Sequence, residues 1–215
     1  PTHPAFREKH LGIWQTTSWA QTAEEVRLIA CGLAALGFTR GTNLAIIGEN
    51  KPCLYWSMSA AQCCGGVSVP LYQDAPAADM AFVLENAEIQ FAIVEDQEQV
   101  DKLLEIRETV AGIQHIIYDD ARGMRDYHQA GVISLKELQE LGRTYSAQHP
   151  EFFMQSVLAG QAQDVAAILY TSGTTGKPKG VCHTHAAMIA TGRTLVEFDA
   201  IGADHEMLCY LPLAW

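Results

Sequence analysis

No uninterrupted apolar run in this sequence approaches the roughly 20 residues that a membrane-spanning helix requires, so no integral membrane segment is expected. A basic surplus is equally missing: 14 Lys and Arg stand against 25 Asp and Glu, a formal charge of −11. That excludes a general surface for nucleic acid or anionic lipid, both of which require a positive field, and a polyanionic ligand would need a local positive site. The six cysteines (Cys31, Cys53, Cys63, Cys64, Cys182 and Cys209) include no CxxC pair and follow no secretory leader. They read as reduced thiols of a cytoplasmic protein rather than as a disulfide framework. With 215 residues, 48% of them apolar, the chain can build a core without such staples.

What the sequence does have is a regular alternation of periods. Thr22-x-x-Glu25 has capping-box spacing, and Val26, Ile29, Ala30, Leu33 and Leu36 then share one helical face up to Gly37. Four short apolar strands, NLAIIG (43–48), VSVPL (67–71), FAIV (91–94) and HIIY (115–118), begin about 24 residues apart. Helical patterns fill the gaps: 51–66, the stretch after Pro76 with Met80, Val83, Leu84 and Ala87, and the stretch through Val100, Leu103, Leu104, Val110 and Ala111. Right-handed parallel βαβ connections require such spacing, so the fold class is α/β, a parallel sheet flanked by helices. Successive units share no sequence identity. Ser134-x-x-Glu137 caps a further helix, while 120–131 and 143–163 read as polar, irregular connections, with a subdomain junction expected within 143–163.

The segment YTSGTTGKPKG (170–180) leaves an apolar strand, VAAILY (165–170), at the end where open α/β sheets place their ligands. Gly173, Gly176 and Gly180 allow close backbone approach to an anion. Thr171, Ser172, Thr174 and Thr175 offer hydroxyls, and Lys177 and Lys179 bring positive charge. This is not a Walker A loop: the spacing from Gly173 to Gly176 is too short, Pro178 follows Lys177, and GVCHT continues as a strand rather than a helix. Composition alone leaves two readings, a phosphate loop between two strands and a polar hairpin.

The ordered string Tyr170 to Val181 resembles the signature of the adenylate-forming (AMP-binding) synthetases, the superfamily of acyl-CoA synthetases, luciferases and peptide-synthetase adenylation domains. GIWQTTSWAQTAEEV, AIIGEN, SVPLYQDAPAADMAFVLENAE and FAIVEDQEQVDKLLEI are similar to bacterial long-chain fatty-acid CoA ligases. The resemblance implies part of a large N-terminal domain, with the C-terminal domain and the main catalytic groups beyond residue 215. It also implies a reaction in which a carboxylate attacks the α-phosphorus of ATP, pyrophosphate leaves, and coenzyme A takes the acyl group from the adenylate. ATP, Mg²⁺, coenzyme A and a fatty acid or other carboxylic acid are the implied cofactors and partners. Carried onto this sequence, the motif assigns Thr171, Ser172, Gly173, Thr174, Thr175, Gly176 and Lys179 to the ATP phosphates, with Thr171 also a neighbour of Mg²⁺ and Lys177 ranked below Lys179. Activation of another acid, transfer to a carrier protein, and a non-catalytic nucleotide-binding module are the alternatives.

LPLAW (211–215) resembles the family's LPLxH-type segment, with Trp215 where the histidine stands. Two readings stand for Trp215: a flat apolar wall beside the acyl and nucleotide sites, and an aromatic ring ending a buried strand. His183 and His185 lack a further ligand cluster and read as packing residues, with Thr184 capping the helix of Met188, Ile189, Leu195 and Val196. Tyr55, Trp56, Cys63 and Cys64 read as core, and Glu95, Asp96 and Glu98 as the solvated start of a helix.

Overall fold

The central strand is Asn43–Ile47 (NLAII), and its side chains divide between two cores. Leu44 and Ile46 join one cluster and Ala45 and Ile47 the other, the alternation a pleated strand imposes. Burial on both faces explains why such strands read as continuous apolar runs. The computed structural model describes residues 2–171 and 177–214.

Numbered along the chain, the elements are β1 (Pro4–His10), β2 (Ile13–Ser18), α1 (Trp19–Ala35), β3 (Asn43–Ile47), α2 (Pro52–Cys63), β4 (Val67–Leu71), α3 (Ala77–Asn86), β5 (Phe91–Val94) and α4 (Gln97–Arg107). They continue with β6 (His115–Tyr118), β7 (Val132–Ser134), α5 (Leu135–Gln148), α6 (Phe152–Leu158), β8 (Val165–Thr171), β9 (Lys179–Thr184) and α7 (His185–Phe198). Among the described residues, β1 and β2 form an antiparallel hairpin, and the main sheet runs β7-β6-β5-β3-β4-β8-β9. All its neighbours are parallel except β9, which turns back along β8. The α/β expectation therefore holds, with one antiparallel edge strand. Side chains of α1, α2 and α5 cover one face of the sheet, and those of α3 and α4 the other.

Several local expectations need correction. The capping box of α1 is Ser18 with Gln21, one turn before Thr22 and Glu25: Gln21 N–H donates to Ser18 Oγ at 3.2 Å, and Ser18 N–H donates to Gln21 Oε1 at 2.8 Å. Thr22 is buried inside the helix, and Glu25 accepts from Gln139 of α5. Residues 143–163 are not an irregular connection, because α5 runs on to Gln148 and α6 follows, with Phe152 and Phe153 packed against the core of α1 and α2. Helix α2 ends at Cys63 rather than at Gly66: Gly65 takes a positive φ of 72°, and a Cβ on Gly66 would lie 2.4 Å from the Phe38 ring. Residues 211–214 form no strand, so the reading of a strand that runs up to Trp215 is not met in the described part of that segment.

Candidate active site

Strand β8 is held on one side by β4 and on the other by β9, whose register sets Tyr170 opposite Gly180 and Thr171 opposite Lys179. The glycine-rich segment thus joins two antiparallel strands at the carboxyl end of a parallel sheet, and no helix starts there. Of the residues assigned to phosphate, the described ones are Thr171 and Lys179, brought together as register partners and both exposed. Ser172, Gly173, Thr174, Thr175 and Gly176 lie outside the described residues, as does Trp215. The Lys177 ammonium sits 5.3 Å from the centroid of Phe82 on α3, a cation–π distance.

Beneath the hairpin's mouth the Tyr170 hydroxyl donates to Asn86 Oδ1 at 2.6 Å. Burial, and then the nearby Cys182 thiol, hold the phenol above its ordinary value, so it stays a neutral donor. A Cβ on Gly180 would come within 2.8 Å of Ile168 and 3.1 Å of the Tyr170 ring, so this position keeps the strand close under that ring. A mostly apolar cavity of about 490 Å³ opens beside Thr171 and Pro178, walled by Leu71, Tyr72, Met80, Val83 and Ala214. Leu71 and Tyr72 also line a second cavity of about 270 Å³, whose other walls are Gly48 to Asn50, Gln73 and Asp74, and Tyr210, Pro212 and Leu213. Both open at the carboxyl ends of parallel strands, where helices on either face leave a crevice.

The neighbouring strand ends carry charge. Glu95, just after β5, accepts the Glu49 N–H at 2.7 Å and stands 3.9 Å from Lys51; burial nevertheless raises its carboxyl above the ordinary value. Cys53 donates to Asp119 at 3.0 Å, and burial, reinforced by that carboxylate, pushes the thiol up and keeps it protonated and unreactive. Among the described residues no group of three or more His, Cys, Asp or Glu could cage a metal, and His183 and His185 have no such companions. Of the residues assigned to the metal, Thr171 is described, and one hydroxyl suits an ion that keeps phosphate oxygens and water as its other ligands.

Sequence reasoning passed over Asn50, Tyr72 and Asn86. A weak signal existed for Asn50 and Tyr72, since each follows closely on the carboxyl end of a parallel strand. Nothing local marked Asn86, whose partner lies 84 residues away.

The chain is 30% identical over 223 residues to a long-chain-fatty-acid–CoA ligase of Mus musculus, covering 99% of this chain and 32% of that protein. It is 25% identical over 218 residues to a long-chain-fatty-acid–CoA ligase of Mycobacterium tuberculosis, covering 100% of this chain and 34% of the relative. The chain thus spans about a third of the length of these curated relatives. Among solved structures, ATP-bound MatB from Rhodopseudomonas palustris superposes with a TM-score of 0.73 at 23% identity, over 94% of this chain and 36% of that one. The anthranilate CoA ligase AuaEII in complex with anthranoyl-AMP gives 0.69 at 20% identity, over 83% and 32%. These two likenesses establish the fold. The family model for AMP-binding enzymes matches residues 1–215, and the chain belongs to that family.

Proposed function

We propose that the native gene product carrying this chain is an ATP-dependent acid–thiol ligase whose acid is a long-chain fatty acid, and that the chain supplies part of its large N-terminal domain. The observation that carries the reading is the pairing of Thr171 with Lys179 at the mouth of a hairpin beside a 490 Å³ apolar cavity. A hydroxyl and an ammonium at that mouth suit phosphate oxygens, and the cavity suits an apolar acid. In the first step a carboxylate oxygen bonds to the α-phosphorus of ATP, and the bond to the bridging oxygen of pyrophosphate breaks. Lys179 and Thr171 act on the leaving charge, with Mg²⁺ bound to the phosphates supplying the rest of its neutralisation. In the second step the sulfur of coenzyme A bonds to the acyl carbon, and AMP leaves with the bonding electrons. The long-chain assignment draws support from the names of the curated relatives and from the apolar cavity.

The test is incorporation of labelled pyrophosphate into ATP by the native gene product, driven in turn by palmitate, acetate, benzoate and a set of amino acids, followed by addition of coenzyme A. Exchange with palmitate and then a palmitoyl thioester is the expected result. Exchange with aromatic or amino acids alone would overturn the long-chain assignment and keep adenylation. Nucleotide binding without exchange by any acid would favour the non-catalytic module.

A further inference from the structure

Residues 199–214 follow α7 without a regular element, yet they wall three cavities. Met207 to Cys209 line a space of about 590 Å³ against β1 and Tyr55; Tyr210, Pro212 and Leu213 contribute to the 270 Å³ cavity, and Ala214 reaches the 490 Å³ one. Among the described residues the one backbone-to-backbone hydrogen bond of 202–214 is local, His205 N–H to the Gly202 carbonyl at 3.2 Å. Side chains tie the segment to the body. Arg7 pairs with Glu206 at 2.7 Å, but both are exposed, and such a pair is weak and screened by salt.

The Tyr55 hydroxyl meets the Cys209 thiol, Leu213 packs against the core of α1 and α2, and Asn50 holds the backbone between them. Its amide nitrogen donates to the Cys209 carbonyl at 2.9 Å and to the Leu211 carbonyl at 2.7 Å. Carbonyls of alternate residues lie along one edge of an extended segment, so one planar amide can reach both. Two acceptors also fix the amide's orientation, because its oxygen could not face them. That oxygen is turned inward, buried and unpartnered among the described residues. The arm carrying the amide is fixed as well. Glu49 N–H is held by Glu95, Lys51 N–H donates to the Glu49 carbonyl at 2.7 Å, and Pro52 opens α2. Gly48 has a φ of 154°, and a Cβ there would lie 2.6 Å from Glu95 Cβ and 2.8 Å from Leu54, so the chain passes through a space only glycine fits.

We infer that Asn50 is a positioning residue for acid activation: it clamps residues 209–211 to the carboxyl end of β3, and thereby sets the Tyr210 to Ala214 wall of the cavities beside the phosphate hairpin. The inference rests on the function proposed above. Asn50 acts through this wall and not on the reacting atoms, and the wall is apolar, so its loss should affect the acid more than the nucleotide.

The test uses Asn50→Asp, which keeps the side chain's shape but sets an acceptor against two carbonyls, and Asn50→Gln, which keeps the donor on a longer arm. Limited chymotrypsin digestion of the 215-residue chain should cut after Leu208 and Tyr210 about 10-fold or more faster in Asn50→Asp, with cleavage after Leu44 in β3 and Phe91 in β5 unchanged. In the native gene product, the KM for the acid should rise about 10-fold or more while that for ATP moves by less than about 3-fold, with Asn50→Gln between Asn50→Asp and wild type. Unchanged cleavage after Leu208 and Tyr210 would overturn the clamp. Equally faster cleavage in β3 and β5 would reduce Asn50 to a scaffold role, and faster cleavage of the segment with both KM values unchanged would remove it from acid binding. A wild-type protein that activates no acid would overturn the function on which the inference rests. The digestion, which needs no substrate, tells that failure apart from failure of the clamp.

Discussion

Lys179 and Lys177 are two residues apart and differ in what they can do. Lys177 lies over the Phe82 ring, whereas Lys179 stands opposite Thr171 in the β8–β9 register. A charge-assisted hydrogen bond to phosphate is worth about 1.5–3 kcal/mol, so Lys179→Ala should slow adenylate formation about 10- to 100-fold. Lys177→Ala should change it by less than about 3-fold, because its ammonium is engaged by Phe82 and an exposed cation–π contact is worth only about 0.5–1 kcal/mol. Pyrophosphate exchange measures both, and the reverse ranking would move the phosphate contact to Lys177. Glu137 gives a pH-dependent case. Its carboxylate accepts from the Ser134 backbone N–H and hydroxyl, each at 2.7 Å, and the backbone bond first, then the hydroxyl, holds its carboxyl below the ordinary value of 4.5. A depressed folded value means that the stabilisation is fully present above the unfolded value and is lost as pH falls through the folded one. Glu137→Gln, a neutral isostere, should therefore cost up to about 1 kcal/mol at pH 7 and progressively less on acidification. Urea unfolding at neutral and acid pH checks this, and a difference that widened in acid would contradict the sign.

Helices α1 and α5 meet at two glycines. A Cβ on Gly142 would lie 2.0 Å from the Leu28 carbonyl oxygen and 3.0 Å from Gly32 N, and one on Gly32 would lie 2.3 Å from the Leu138 carbonyl oxygen. Because these neighbours are backbone, the helices would have to separate. Gly142→Ala should destabilise the chain by about 1–3 kcal/mol in urea unfolding, although alanine is the better helix former by about 1 kcal/mol. A gain in stability would show that the crossing can relax. This contact was not legible in the sequence, where Gly32 and Gly142 are 110 residues apart and sit inside otherwise ordinary helical patterns. Strands β4, β5 and β6 were legible to the residue, because burial on both faces writes a short, mostly apolar run between helical patterns. Hairpin β1–β2 was not, since it is largely exposed and mixes charged and apolar residues, and β7 is only three residues long. The start of α1 was misread because two capping-box patterns, Ser18 to Gln21 and Thr22 to Glu25, follow one another directly, and only burial of Thr22 and the reach of Gln139 to Glu25 decide between them. At the candidate site, the hairpin pairing of Thr171 with Lys179 follows from strand–loop–strand order. The grip of Asn50 on carbonyls 159 and 161 residues away does not.

Apolar side chains are well covered on the two faces of the sheet, whereas the β1–β2 hairpin leaves Leu11, Ile13 and Trp14 exposed and the end after β9 leaves a larger set. Helix α7 follows the antiparallel edge strand β9 and buries none of its residues: Ile189 is 56% exposed, Leu195 51% and Phe198 86%. Leu208 and Tyr210 in the segment after it are exposed as well, so several large apolar side chains stand uncovered at this end. The formal charge of −11 opposes contact between copies at low ionic strength. Salt screens that repulsion, and an excluded salt such as sulfate strengthens apolar association. The 215-residue chain should therefore self-associate reversibly as sulfate is added, with sedimentation velocity showing a shift from monomer to larger species. The double substitution Ile189→Glu and Leu195→Glu should abolish the shift. Because neither side chain is buried, each change should alter folding stability by less than about 0.5 kcal/mol, a shift of the thermal midpoint too small to confuse with core damage. A wild-type chain that stayed monomeric in sulfate would show that α7 is not adhesive. A large fall in the midpoint of the variant would show that these side chains are packed in solution against part of the chain itself.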